Sequence, residues 1–417
     1  MRFSRPPLLY RYIAREVYAP FLVALFVFTG ILFLARSLKL VDLVVNKNVP
    51  AGDIILLFSY IIPRFLEVAI PMALLLAIIL AFGRLSHDSE LVVLRAAGLS
   101  LRKLAIPVLS FAGVALLLAL TISFWIRPFA NHRLGTGLFE IAKTQASAGL
   151  VSGVFNELGQ LTVYAESIEE NGEKLNNVII GDRRDPNTSR LFIAKHGKIV
   201  SDKQRRSLSL QLYDGNISEG SGPSFTVTYF EVNNISLPQS ALFDEASEQG
   251  GKGPDELTLG ELLATINRLE GVKDKPKNVV DSATQPKQER LAKYSVELHK
   301  RIAIPFSCLS VALIAMALGI QPSRGGQTWS ASSNVALGIT LILLYYVLFA
   351  VASALGEQEI APAWLVLWIP NVLFASLGIY LFDRMGSEKW MAVSSTIGEF
   401  VGQVFERLRI TSPGRLA

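Results

Sequence analysis

Several cationic side chains in this 417-residue sequence stand at the far ends of long apolar runs, where topology alone would not put them. Arg36 and Lys39 follow the first run three residues apart, so on a helix they share a face. Arg127 closes the third run, and His299, Lys300 and Arg301 open the fourth. Arg64 lies inside the second run, with Glu67 one turn further on. Ionisable groups at that depth are costly, and by default they line a cavity or pathway. Cations gathered at one depth from different helices would form a receptor for clustered anions, and lipid headgroup phosphates fit that description. The plainer reading is that Arg36, Lys39, Lys300 and Arg301 snorkel to the headgroups, while Arg64 and Glu67 satisfy each other. The residues by themselves leave both readings open.

A second set lies between the second and third runs, in the segment 84–103 (RLSHDSELVVLRAAGLSLRK). It is too charged for lipid, yet Leu91, Val92, Leu94 and Leu99 give it an apolar stripe. Ser86 or Asp88 can cap the start of a helix there and Gly98 can end it. A short amphipathic helix across the ends of two spans is something a motor subunit could push on; without a partner it is a membrane-surface helix. Enzyme chemistry is hard to find. There is no G-x-x-x-x-G-K-[ST] loop, no H-E-x-x-H and no G-x-S-x-G elbow, and His87, His132, His196 and His299 are scattered. The single cysteine, Cys308, rules out an intramolecular disulfide. No cofactor or metal is expected.

These residues need elements to hold them, and the composition says which. The chain is 51% apolar and only 18% charged, against about 25% charged for soluble domains. Residues 127–296 carry a net charge of −2 with an ordinary soluble composition, and the remainder carries +7 among long apolar runs. The basic balance therefore belongs to a membrane protein and gives no reason to expect a nucleic-acid partner. Six segments have the roughly 20 apolar residues that a spanning helix needs: 17–35, 54–82, 104–126, 302–320, 334–355 and 361–382. The first is too long for a signal-peptide core and lacks a good cleavage site, so it reads as a retained helix. Arginine and lysine gather in the N-terminal tail, in 83–103 and after 382, so both termini are expected in the cytoplasm with the insert outside.

Within the insert the period changes to two. The segments 160–165, 177–180, 190–194, 207–212 and 224–230 alternate apolar with polar between turn signals, which suggests an antiparallel sandwich or jelly roll. Residues 244–254 and 271–288 have linker composition, and 258–269 reads as a short amphipathic helix. The expected organisation is 1–126 (tail and helices 1–3, with the 84–103 helix), 127–298 (outer β-domain plus linker), 299–382 (helices 4–6) and a cytoplasmic tail from 383 to 417. The fold class is an α-helical membrane protein, three helices plus three, with an inserted all-β, jelly-roll-like periplasmic domain. That domain reads either as a spacer or docking module, or as a carrier of an elongated amphiphile.

Three stretches carry a resemblance: Arg11-Tyr-Ile-Ala-Arg-Glu16; Ile70 to Ser100, with its Ser89-Glu-x-x-Val-x-x-x-x-Gly98 core; and His299-Lys-Arg-Ile-Ala-Ile-Pro-Phe306. Together with the order of spans and insert, they resemble the permease family of the lipopolysaccharide exporter, an ABC transporter whose ATPase is a separate chain. The segments 344–349 and 363–368 lean towards the F-type of its two paralogues. The resemblance implies an inner-membrane permease paired with a G-type paralogue, a cytoplasmic ATPase dimer, a bitopic single-span partner and a periplasmic β-jelly-roll bridge. Lipopolysaccharide would pass from the membrane through the permease cavity to the β-domains. By the same resemblance Glu90, with Asp88, Leu91 and Arg95 around it, would face the ATPase, and Arg36, Lys39 and Arg301 would meet lipid A phosphates. Lys300 and Arg64 join that set by position, although Arg64 matches no family cation.

Two other functions remain in view. A mechanotransmitting subunit would couple an ATPase to a periplasmic partner without moving lipid. A proton-coupled transporter would need acids at the midplane, and Glu67 is the only acid within the six apolar segments.

Overall fold

A computed structural model describes residues 8–45, 51–148, 151–158, 161–169, 174–184, 190–202, 207–220, 226–237, 252–271, 287–320 and 331–384. The expected linkers therefore lie largely outside the described residues, as does the tail after Arg384. The helices are α1 (Leu8–Val45), α2 (Ala51–His87), α3 (Glu90–Ala96), α4 (Leu101–Thr121), α5 (Arg127–Ala148), α6 (Leu259–Gly271), α7 (Lys287–Gly319), α8 (Ala331–Glu357), α9 (Ala363–Val366) and α10 (Ile369–Arg384). A π-helical turn, Ile122–Ile126, joins α4 to α5, and a 3₁₀ turn, Pro254–Glu256, precedes α6. Six helical stretches are long and apolar enough to cross a membrane: Leu8–Arg36, Gly52–His87, Leu101–Ile141, Lys287–Gly319, Val335–Glu357 and Ala363–Arg384.

Each coincides with one of the six apolar runs, but most are longer. The third continues as α5 to Ala148, and the fourth begins at Lys287 instead of near 302. Hydropathy marks the stretch that fits the hydrocarbon thickness, and a helix does not end where its polarity returns. The chain divides into two compact units, one of residues 1–38, 62–128 and 258–417 and the other of residues 39–61 and 129–257. Amphipathic α6 and the start of α7 therefore group with the helical unit, although composition placed them with the insert.

In the helical unit α7 is the central element, packing against α10, α4 and α8. Its buried face is rich in small residues (Ala303, Ser307, Ser310, Ala312, Ala315, Ala317 and Gly319), which let helices approach closely where lipid supplies no hydrophobic drive. At Gly319 a Cβ would lie 2.6 Å from the Phe82 Cβ, so no side chain fits against α2 there. Helix α1 is the opposite case. Only 17% of its apolar window is buried, through the stripe Ile13, Val17, Phe21 and Ala24.

The expected amphipathic segment is a single short helix, α3. Ser86 is not its cap, because α2 runs on to His87; Ser89 takes the N-cap position, in a left-handed conformation (φ 59°). Gly98 ends the helix as expected: its φ of +86° strains any residue with a Cβ, and Leu99 N–H closes back on Leu94 O at 3.1 Å.

The inserted domain is one six-stranded antiparallel sheet in the order β1 (Phe155–Leu158), β2 (Leu161–Glu169), β3 (Lys174–Asp182), β4 (Arg190–Asp202), β5 (Ser207–Glu219), β6 (Thr226–Leu237). The described strands follow one another as a meander, without the crossed connections of a jelly roll. One face forms a core of Leu161, Val163, Leu175, Val178, Ile180, Phe192, Leu208, Leu210 and Leu212, with Phe139 of α5 in the same cluster. Alternation slips by one residue in mid-sheet. In β4 Phe192 and Ala194 are buried, then Gly197 and Ile199, with Lys195 and His196 both exposed between the two pairs. Neighbouring strands slip in the same row, at Asn177 (φ 48°) and Asp214 (φ 50°), and Asn177 Nδ2 donates to Glu166 Oε2. Pairing stays one to one on either side of this row (Asn176 with His196 and Val178 with Ala194, then His196 with Tyr213 and Ala194 with Gly215), so the buried set shifts by one while the strand register does not.

Candidate functional site

Two polar clusters stand out in the helical unit, and α2 contributes to both. The first gathers Glu67 of α2, Ser123 of the π-turn, Arg127 of α5, and Glu297 and Arg301 of α7. Arg127 Nη1 donates to Glu67 Oε2 at 3.1 Å and its Nη2 to Glu297 Oε1 at 2.9 Å. Arg301 Nε donates to that same Oε1 at 2.9 Å. Ser123 Oγ lies 2.8 Å from Glu67 Oε1 and 3.1 Å from the Arg301 carbonyl oxygen. Pro305, four residues on, has no N–H with which to close the helical bond to that carbonyl. The π-turn sets Ser123 and, four residues later, Arg127 towards the acids of two other helices. Such turns recur where a helix is adapted to a function.

Below it, Asn371 of α10 donates to the Ala303 carbonyl at 2.8 Å and accepts from Tyr345 OH of α8 at 3.0 Å. Tyr346 OH donates to the Val68 carbonyl at 2.7 Å.

The second cluster lies about 17 residues further along α2, roughly 26 Å at 1.5 Å per residue. Tyr12 OH of α1 donates to Glu90 Oε2 of α3 at 2.8 Å. Arg84 Nη2 reaches Glu16 Oε2 at 3.0 Å, and its Nε lies 3.8 Å from Asp88 Oδ2. In α3, Leu91 is buried, while Val92, Val93 and Arg95 face outward. The surface available to a partner therefore consists of the two valines and Arg95, with Glu90 half-buried at the start.

The residues expected to meet an anion are split by this geometry. Arg301 is 0% exposed and engaged with Glu297, so it is part of a buried, charge-balanced cluster and not a surface cation. Lys300 is half-buried, Arg64 is exposed and Arg36 is half-buried. Arg36 and Arg64 are near enough to repel one another. Lys39 lies within α1, but its side chain is outside the described residues. Glu67 does not pair with Arg64, the partner its spacing offered; it pairs with Arg127. Sequence reasoning missed Glu297 as a site residue. The signal was there, since Glu297 and Arg301 are four residues apart on one helical face. The proline of the R-x-x-x-P pattern also removes the helical N–H opposite the carbonyl of that very arginine.

In the β-domain the core face is filled by its own side chains. The other face carries a hollow of about 820 Å³ along the row of Asn177 and Asp214, lined by Tyr164, Ile179, Ile193 and Tyr229 with Glu166 and Lys195. At the end of β3, burial alone would push the Asp182 carboxyl up. Hydrogen bonds from the Arg184 side chain and backbone N–H, with the charges of Arg184 and Arg190, outweigh it and hold the carboxyl below its ordinary value.

Six potential spans, three on either side of an inserted antiparallel β-domain, define a multi-pass membrane protein of the permease class. Residues 11–384 match the family described as Lipopolysaccharide export system permease LptF/LptG, and the chain belongs to that family. It is 22% identical over 383 residues to the lipopolysaccharide export system permease protein LptF of Escherichia coli (strain K12), covering 89% of this chain and 93% of that one. To LptG of the same strain it is 22% identical over 373 residues, covering 88% and 93%. To LptG of Haemophilus influenzae it is 21% identical over 381 residues, covering 90% and 98%.

Proposed function

We propose that the chain is a non-enzymatic permease subunit, of the LptF type, in an ABC exporter that draws lipopolysaccharide out of the inner membrane. Its match to the LptF/LptG family over residues 11–384, which takes in all six spans and the β-domain, carries the reading. A paralogous LptG-type permease completes the cavity, and a separate cytoplasmic ATPase dimer hydrolyses ATP. Both termini face the cytoplasm and the β-domain faces the periplasm, where a bitopic partner and a β-jelly-roll bridge take the lipid onward.

In this mechanism the ATPase grips α3 through Val92, Val93, Arg95 and half-buried Glu90, with Asp88 beside its start. Leu91, expected from the sequence to join them, is buried and seats the helix on the spans. The nucleotide cycle moves α3 and narrows the cavity. The lipid A phosphates are oriented by Arg36, Lys39, Arg64 and Lys300. Arg301 contributes by fixing the frame that holds α7 against α2, and it reaches phosphate only where that cluster opens. Burial of acyl chains dominates affinity at about 0.8 kcal/mol per CH₂, so the cations set orientation more than strength.

Photocrosslinking groups at positions 36, 39, 64 and 300, in the complex reconstituted with lipopolysaccharide, test the reading. Crosslinks to lipid A at 36 and 64 are expected. ATPase coupling with no lipid near any of the four would leave a mechanotransmitting subunit as the better account. Glu90→Ala is expected to weaken lipid release per ATP without unfolding the spans.

A further inference from the structure

Between α1 and α2 runs a groove of about 840 Å³ that the chain's own side chains leave open. Its walls are apolar, with Val23, Val27 and Phe28 on α1 and Leu76, Ile79 and Leu80 on α2. Its mouth is polar, formed by Arg15 and Glu16 of α1 with Arg84 and His87 of α2. From Arg15 to Phe28 the groove follows α1 for thirteen residues, about 20 Å. One leaflet of a bilayer has that depth: half of a hydrocarbon core about 30 Å thick, plus a headgroup layer of about 5–7 Å.

Two features distinguish this groove from an imperfect fit between helices. The first is Gly83, which lines it. Glycine inside a helix is less favourable than alanine, and close approach of a neighbour is the common reason for it. Gly319 has that reason, against Phe82; Gly83 does not, since a Cβ there would meet no atom within 4 Å. The space that its missing side chain leaves belongs to the groove. The second feature is the charge at the mouth. Glu16 is held by Arg84 at 3.0 Å, Asp88 stands between Arg84 and His87 at 3.8 and 3.3 Å, and Glu90 accepts from Tyr12 at 2.8 Å. These acids are engaged, whereas Arg15 is exposed and has no carboxylate partner among the described residues.

We propose that the groove binds an anionic phospholipid of the cytoplasmic leaflet, with one acyl chain between α1 and α2 and the phosphate on Arg15. The leaflet rests on the proposed orientation, with both termini in the cytoplasm; the groove and its mouth do not. Arg36, proposed to orient the transported lipid, is 21 residues further along α1, about 32 Å away. The lipid in the groove is therefore a component of the permease and not its cargo. It gives α1, only 17% of whose apolar window is buried, a second surface against α2. A cation without a carboxylate favours a headgroup of net negative charge over a zwitterionic one, whose ammonium it repels.

The test places a photoreactive amino acid at exposed Val23 in the full complex. The vesicles hold equal parts of phosphatidylglycerol and phosphatidylcholine with added lipopolysaccharide, and captured molecules are identified by mass. Phosphatidylglycerol is expected to be captured in excess over phosphatidylcholine. R15Q should lower that ratio about fivefold, the factor for the roughly 1 kcal/mol that one arginine contributes near a membrane surface, and R15K should keep most of it. G83L puts a side chain into the groove without meeting a neighbour at Cβ and should reduce capture of both lipids. Capture of the paralogous permease would give the groove to a helix, and capture of lipopolysaccharide alone would give it to the substrate. Equal capture of the two phospholipids, unchanged in R15Q, would leave only a lipid-facing surface. Each of these results overturns the proposal. Orientation is read separately with H87C, at an exposed position in a chain whose single cysteine is buried. It should be protected from a membrane-impermeant maleimide in intact spheroplasts; labelling there would overturn the orientation, and the leaflet with it.

Discussion

Replacing Glu297 by methionine removes the one oxygen that serves two arginines, since its Oε1 accepts from Arg127 Nη2 and Arg301 Nε at 2.9 Å each. The cluster holds two acids and two arginines, none more than 8% exposed, so its charge balances without water. E297M leaves two arginines facing Glu67 alone, a buried net charge of +1. Breaking a buried pair from one side costs about 3–5 kcal/mol, because the abandoned charge stays in low dielectric. Removing both members is a different perturbation. E297M/R301M leaves the Glu67–Arg127 pair, neutral and bonded at 3.1 Å, and fills the space with side chains of similar length. Its cost should therefore fall below that of E297M alone, a non-additivity of more than 1 kcal/mol.

Titration of the purified chain in mixed detergent and SDS micelles, followed by tryptophan fluorescence, measures both free energies. E297Q is the isosteric control and should lie near E297M, because it removes the same charge. If the double variant loses the sum of the single losses, or if E297M costs less than about 1 kcal/mol, the charges are not mutually compensating. Arg301 would then be available to a ligand, as its position in sequence suggested.

Other substitutions give independent checks. Asn371→Leu leaves the Tyr345 hydroxyl and the Ala303 carbonyl without the side chain that joins them. It should cost about 2–4 kcal/mol in the same titration, and Y345F/N371L should recover part of the loss. Gly98→Ala puts a Cβ at φ +86°, so amides of α3 should exchange about fivefold faster, matching a strain of about 1 kcal/mol. Asp182→Asn should raise exchange at the paired ends of β3 and β4 about fivefold at pH 7. Because the Asp182 carboxyl is held below its ordinary 3.8, its stabilisation is fully present above that value. It is lost as pH falls through the lower folded one, so the difference between variant and wild type should shrink once the pH is taken below 3.8.

What the sequence disclosed follows the physics of its signals. The six spans were legible because hydrocarbon tolerates so few charges, and the strands because a half-buried sheet must alternate. Helix ends were not: α7 is helical from Lys287, where composition still reads as soluble. Alternation also failed at the row of Asn177 and Asp214, where left-handed residues shift the buried set by one without changing the strand register. The strand order, which periodicity leaves open, proved to be a meander. At the candidate site the cations were found and their partners were not. A residue's depth can be counted along the chain, but whether Arg301 faces a cavity or Glu297 depends on which side of α7 meets α2 and α5.

That distinction bears on which cations can hold a phosphate. Arg127 and Arg301 each have a carboxylate within 3.1 Å and no exposure to speak of, so an arriving anion would have to displace an acid already desolvated with them. Arg64 is exposed and Arg36 half-buried, so an anion can approach both. They repel one another across the space between α1 and α2, and a group carrying two or more negative charges between them would turn that repulsion into attraction. Two like charges held near each other favour a multivalent anion over a monovalent one, since a single charge cannot satisfy both. A substrate with clustered phosphates fits that requirement, and an ordinary monoanionic phospholipid meets half of it. Competition should therefore separate the two cation sets: inorganic pyrophosphate or a bisphosphorylated lipid should protect Arg36 from modification by an arginine-directed dione better than an equal charge of monoanionic phospholipid. Protection by both alike would mean that Arg36 only snorkels.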